Sequence, residues 1–152
     1  MTSSGTKPAA GAGADRSSVP GSLSSHFVGH LLLVEDNDVS ALIAKAELKR
    51  LGITIDHARD GIEALRLFES RHFDLVLMDC EMPLMDGYET TQRIRRLERA
   101  KQAPKTPVVA FTANTLVGDR AAVLRMGMDD YVSKPLVPGA LAQTLAKFLG
   151  SV

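Results

Sequence analysis

The chain has 152 residues, 45% of them hydrophobic, enough for one domain with a real core and too few for two of ordinary size. Lys plus Arg number 18 and Asp plus Glu number 18, so the formal net charge is zero and the strongly basic balance of a nucleic-acid binder is missing. No apolar run nears the ~18 residues a membrane helix needs, and the lone cysteine, Cys80, excludes an internal disulfide and fits a reducing compartment.

Residues 1–28 are predicted to form a flexible tether, because Gly, Ala, Ser and Pro dominate through residue 26 and leave almost nothing to bury. The charged start and continuous apolar stretch of a secretory signal are both lacking. Such a composition suits a module joined to something larger, or a plain disordered tail. A domain is predicted over residues 29–151. Residues 31–34 are all apolar, as expected of a strand covered on both faces. Asn37 or Asp38 can cap the next helix, whose apolar stripe is predicted as Val39, Leu42, Ile43 and Ala46, with Gly52 ending it. Residues 53–57 read as an edge strand. Ile62, Leu65 and Phe68 mark an amphipathic helix over 61–69, and residues 73–78 a central strand.

Residues 87–97 form a third predicted helix with a weaker apolar stripe. After a loop with Pro104, Pro107 opens a fourth strand through Phe111. Helices are predicted over 115–126 and 137–149 (Leu141, Leu145, Phe148, Leu149), with a strand at 130–132 between them. Five strands alternating with five helices imply parallel pairing through right-handed crossovers. Helices must then cover both faces, so the expected class is an α/β, doubly wound parallel sheet.

Polar residues recur where these strands end. Glu35 and Asp36 follow the first, Asp79 closes the third, Thr112 the fourth and Lys134 the fifth. In an open α/β sheet, the carboxyl ends of the strands form the crevice where ligands bind. Two adjacent carboxylates and a third on a neighbouring strand repel without a cation, and one pKa rises. Three hard oxygen ligands with room for water and phosphate suit Mg²⁺. A carboxylate can also act as nucleophile toward phosphorus, with metal and ammonium offsetting the charge of the transferring group. Lys134, held extended by Pro135, is the candidate ammonium.

Taken singly, Glu35 and Asp36 could be helix-capping acids, Thr112 a β-branched strand residue and Lys134 a surface lysine. Two sets of acids at one sheet edge have no packing purpose. Cys80 follows Asp79 directly, but no His or second Cys is spaced to activate it, so it reads as a small packed residue.

Four segments carry a resemblance: Leu33-Val34-Glu35-Asp36-Asn37, the run from Leu77 through Asp79-Cys80-Glu81-Met82-Pro83-Leu84-Met85-Asp86 to Gly87, Phe111-Thr112-Ala113, and Tyr131-Val132-Ser133-Lys134-Pro135-Leu136. Over about residues 30–150 the chain resembles the receiver domains of two-component response regulators, most of all those carried by hybrid histidine kinases. The resemblance implies a flavodoxin-like, five-stranded sheet of order 2-1-3-4-5. It implies that Asp79 takes a phosphoryl group from a phosphohistidine, on a histidine kinase or phosphotransfer protein, in the cytoplasm. It implies Mg²⁺ held by Glu35, Asp36, Asp79 and the backbone carbonyl of Glu81. Lys134 would contact the phosphate, Thr112 with neighbouring Ala113 would form the switch, and Tyr131 would change rotamer, although it also reads as a half-buried strand tyrosine. The output face would be the fourth helix, fifth strand and fifth helix, turned toward an effector elsewhere, with no direct nucleic-acid or membrane contact. Any catalysis would be confined to its own phosphorylation and dephosphorylation.

The sequence departs from the plain pattern twice. Glu35 stands where many receivers have Asp, and its longer arm is expected to reach the metal still. Glu81 adds an acid two residues past the acceptor, which bears on how fast the acyl phosphate is hydrolysed. Rival readings are weaker. A Mg²⁺-dependent nuclease-like or topoisomerase-like domain would match Asp79-x-Glu81 but has no use for Thr112 and Lys134. An interaction module that had lost phosphotransfer would be expected to lack Asp79, Asp36 or Lys134. An acidic first turn would repel a flavin phosphate, and no Gly-x-x-x-x-Gly-Lys-Ser/Thr occurs. None of His26, His30, His57 and His72 lies in the setting of a kinase or phosphotransfer histidine, so the chain is expected to receive phosphate.

Overall fold

The computed structural model describes residues 26–82, 85–113 and 120–149. Its elements are β1 (His30–Val34), α1 (Asp38–Arg50), β2 (Thr54–Ala58), α2 (Gly61–Ser70), β3 (Leu75–Asp79), α3 (Gly87–Lys101), β4 (Val108–Thr112), α4 (Arg120–Arg125), β5 (Asp130–Ser133) and α5 (Ala140–Phe148). All four strand pairs are parallel, in the order β2-β1-β3-β4-β5. Most of the tether predicted for residues 1–28, and residues 115–119 of the helix predicted over 115–126, lie outside the described residues.

Alternation along the inner strands divides the core into two layers, because successive strand side chains point to opposite faces. Leu31, Leu33, Leu75, Leu77, Val109 and Phe111 meet α1 and α5 on one side. Leu32, Val34, Val76, Met78, Val108 and Ala110 meet Ala64 of α2, Ile94 of α3 and Val123 of α4 on the other. The sheet is therefore covered on both faces, as the all-apolar strands require.

The inward stripe of α1, the reach of the tether and the end of α3 differ from the sequence expectations. The stripe of Val39, Leu42, Ile43 and Ala46 does not face the core: Val39 is 66% exposed, Leu42 68% and Ile43 48%. Ala41, Ala44 and Leu48 are buried instead. Both sets obey the helical period, but small residues let α1 lie close on the sheet, and that selects the alanine face. Phe27, placed in the tether, is 3% exposed in the first core layer, and its N–H donates to the Leu51 carbonyl at 2.8 Å. Phe27, between His26 and Val28 just after the Gly/Ser-rich stretch, gave no periodic signal.

The cap of α1 is Asn37, whose side chain accepts from the Ser40 N–H at 2.9 Å. α3 runs four residues beyond its expected end at 97, to Lys101. Its weak stripe conceals a buried polar seam: Arg95 pairs with Glu98 at 2.9 Å and with Asp129 at 3.0 Å, locking the helix to the segment before β5.

Gly87 begins α3 against the end of β3. A Cβ there would collide with the Asp79 carbonyl oxygen and come within 2.9 Å of Met78 Cγ. Gly87→Ala is expected to lower unfolding stability by about 1–3 kcal/mol through overpacking. A denaturant titration checks this, and an unchanged midpoint would show that the helix start can shift freely.

Candidate functional site

The sheet presents its chemistry at one edge because parallel strands all end on the same side. Glu35 and Asp36 continue from β1, Asp79 closes β3, Thr112 closes β4, and Lys134 follows β5. One carboxylate oxygen each from Glu35, Asp36 and Asp79 lie within 4.8 Å of one another. Glu35 is 0% exposed and Asp79 1%, so two of the three acids are withdrawn from water. Lys134 enters the same space. Its Nζ is 2.8 Å from Glu35 Oε1 and 3.3 Å from Asp79 Oδ1, and sits 4.9 Å from the centroid of the Phe111 ring.

Backbone contacts hold this cluster in place. The Glu35 N–H donates to the Ala58 carbonyl, and Glu35 Oε2 accepts from the Asn37 N–H at 3.1 Å. Asp79 Oδ1 accepts from the Glu81 N–H at 3.0 Å, and the Lys134 N–H donates to the Thr112 carbonyl at 2.9 Å. The Lys134–Pro135 peptide is cis. Two residues that sequence reasoning left out of the site support the acidic loop. His57 Nε2 bonds the Glu35 carbonyl at 2.8 Å, and Arg59 Nη2 donates to the Asp36 carbonyl at 3.3 Å. His57 stands opposite Leu33 in the pairing of β2 with β1, and Arg59 follows directly after β2.

Electrostatics bear the mark of crowding. Burial, reinforced by the neighbouring Glu35 carboxylate, pushes the Asp79 carboxyl up to about 8, against the opposing pull of Lys134 and the Glu81 N–H. Burial works against the Lys134 ammonium, yet contact with Glu35 and Asp79 raises it overall. Glu35 Oε1 is buried with no hydrogen bond among the described residues: Lys134 lies close enough for an ion pair but outside hydrogen-bond geometry. Three converging carboxylates, two of them buried, together fit a hard divalent cation.

The remaining expected residues surround this cluster. Thr112 is 2% exposed and donates from Oγ1 to Glu81 Oε2 at 3.0 Å. Ala113 is exposed at the end of β4. Tyr131 is half-buried on β5 against the second core layer, some way along the strand from the carboxylates. Cys80 is buried, and burial pushes its thiol up to about 11, in keeping with a packed and unreactive residue. Among the described residues no helix is long and apolar enough to cross a membrane.

Comparison with known proteins agrees with this geometry. A family model described as the response regulator receiver domain matches residues 31–146. The sensor histidine kinase GacS of Pseudomonas protegens is 37% identical over 120 residues, covering 79% of this chain but 13% of that protein. The chain thus spans a small fraction of the length of such relatives. Among solved structures, the receiver domain of sensor histidine kinase PA1611 from Pseudomonas aeruginosa, with a magnesium ion in its active-site cleft, is 40% identical at a TM-score of 0.70, covering 79% of this chain and 96% of that one. The receiver domain of Ssk1 from Saccharomyces cerevisiae, in complex with the phosphotransfer protein Ypd1, is 27% identical at a TM-score of 0.74, covering 81% and 90%.

Proposed function

This chain belongs to the response regulator receiver domain family, and on that premise we propose that Asp79 is its phosphoacceptor, working with Mg²⁺ and Lys134. The observation that carries the proposal is the convergence of three carboxylates and one ammonium at a single sheet edge. An Asp79 oxygen attacks the phosphorus of a phosphohistidine, the P–N bond breaks, and its electron pair stays with the imidazole. Glu35, Asp36, Asp79 and the main-chain carbonyl of Glu81 would hold Mg²⁺, which when bound offsets the negative charge gathering on the phosphoryl oxygens. Lys134 supplies the protein's own positive charge there, preorganised at 16% side-chain exposure. Incubation with acetyl phosphate and Mg²⁺, followed by mapping of the acid-stable, hydroxylamine-labile label, tests the assignment. A label on any residue other than Asp79 overturns it.

Signalling follows from the added charge, roughly −1.5 to −2, with three new acceptor oxygens. Thr112 and Lys134 are the donors placed to turn toward them, with Ala113 next along the chain and Tyr131 on the strand that leads into Lys134. Asp130 ties that strand to its flanks, binding Arg120 of α4 at 3.1 Å and Lys147 of α5 at 2.8 Å. The α4–β5–α5 face is therefore the proposed output surface toward an effector. A tether joining the domain to a longer protein, as in the hybrid kinases it resembles, belongs to the same reading, as does a cytoplasmic setting.

The donor is proposed to be a histidine kinase or phosphotransfer protein that seats on the outer face of α1. Val39, Leu42 and Ile43 leave an apolar surface there, one turn beyond Asp36. Exposed apolar patches of this kind mark association sites. Leu42→Arg is expected to slow transfer from a cognate phosphohistidine donor about tenfold or more, and to leave labelling by acetyl phosphate unchanged. Equal loss with both donors would count against a docking role.

A further inference from the structure

Resting on Asp79 as acceptor, we infer that Glu81 is a positioning residue that restrains phosphoryl uptake by holding the Thr112 hydroxyl in the unphosphorylated state. Its backbone is fixed to the acceptor, since its N–H donates to Asp79 Oδ1 at 3.0 Å. Its exposed side chain crosses from the end of β3 to the end of β4. There it accepts from Thr112 Oγ1, at 3.0 Å to Oε2 and 3.4 Å to Oε1. A buried hydroxyl is thus held by a carboxylate at the rim of the cleft.

A threonine hydroxyl has one proton to give. It can donate to Glu81 or to a phosphoryl oxygen on Asp79, and not to both. The bond to Glu81 is charge-assisted and belongs to the stronger class, so phosphorylation must displace a real competitor. The Glu81 carboxylate also adds a fourth negative group to a cleft that already gathers Glu35, Asp36 and Asp79. Glu81 therefore opposes the phosphorylated arrangement in two separable ways, by its hydrogen bond and by its charge. Release of Thr112 is felt at Lys134 directly, because the Lys134 N–H is bonded to the Thr112 carbonyl. The residue two past the acceptor is in this way a built-in threshold on the switch.

Beryllofluoride, a stand-in for the phosphoryl group, tests this when titrated into the full chain at saturating Mg²⁺. The variants are Glu81→Ala and Glu81→Gln, each with Thr112 intact and in a Thr112→Val background. Because Glu81 is exposed, both substitutions leave the core untouched. Glu81→Ala is expected to bind about tenfold more tightly than the wild type. Glu81→Gln keeps an amide oxygen for Thr112 and loses the charge, so its affinity falls between the two. In the Thr112→Val background the two Glu81 variants bind alike. Identical affinities for Ala and Gln with Thr112 present, or a gap between them that survives Thr112→Val, would overturn the hold on Thr112. A wild-type chain that binds no beryllofluoride would sink the Asp79 assignment instead, so the two failures are distinguishable.

Discussion

Asp79→Asn is expected to reduce phosphoryl incorporation from acetyl phosphate to background, a loss of about 10³-fold or more in rate. The amide cannot form the acyl phosphate, and no second carboxylate is equivalent. Glu35 is fully buried and its Oε2 accepts from the Asn37 N–H, while Asp36 is only partly buried on the loop after β1. The same substitution is expected to raise the stability of the metal-free domain, by about 1–2 kcal/mol at alkaline pH, because it deletes one crowded buried charge. Opposite movements of activity and stability separate a chemical role from a structural one. Label retained at normal stoichiometry would refute the acceptor assignment, whatever happens to stability.

Removing Mg²⁺ with a chelator is expected to stop labelling while the domain stays folded, since both core layers are apolar and independent of the acidic edge. The pH dependence gives a second reading of the same cluster. Burial and Glu35 raise Asp79 from 3.8 to about 8 in the folded chain. The folded state therefore binds the proton more tightly than the unfolded state, and the metal-free domain loses stability as pH rises across that window. Above it the loss levels off. A cation between the carboxylates favours the ionised form and flattens the slope. Thermal unfolding at a series of pH values, with and without Mg²⁺, measures both curves. Continued labelling in EDTA, or a metal-free domain that gains stability between pH 4 and 8, contradicts the cluster described here.

Much of this was legible before any coordinates. The polar residues after each apolar run marked Glu35, Asp36, Asp79, Thr112 and Lys134, because parallel strands in such a fold end at one edge. The sequence also pointed to crowding among the acids, and the fold brings one oxygen each of Glu35, Asp36 and Asp79 within 4.8 Å of one another. Other features were hidden in principle. Val39, Leu42 and Ile43 obey the helical period as well as Ala41, Ala44 and Leu48 do, so periodicity finds an amphipathic helix without telling which stripe turns inward. The extension of α3 rests on Arg95, Glu98 and Asp129, whose pairing joins residues 34 positions apart. No local pattern announces that.

Local order along the chain determined the alternation of strand and helix, the parallel sheet and which polar side chains stand at the strand ends, since each depends on residues a few positions apart. Tertiary structure alone decided how those side chains share their space. The hold of Glu81 on Thr112, the support of the acidic loop by His57 and Arg59, and the apolar face left outside on α1 all follow from distant segments meeting in three dimensions. Hydrogen bonds and burial act over a few ångströms of space, whatever the separation along the chain, and sequence spacing carries that information only within one element.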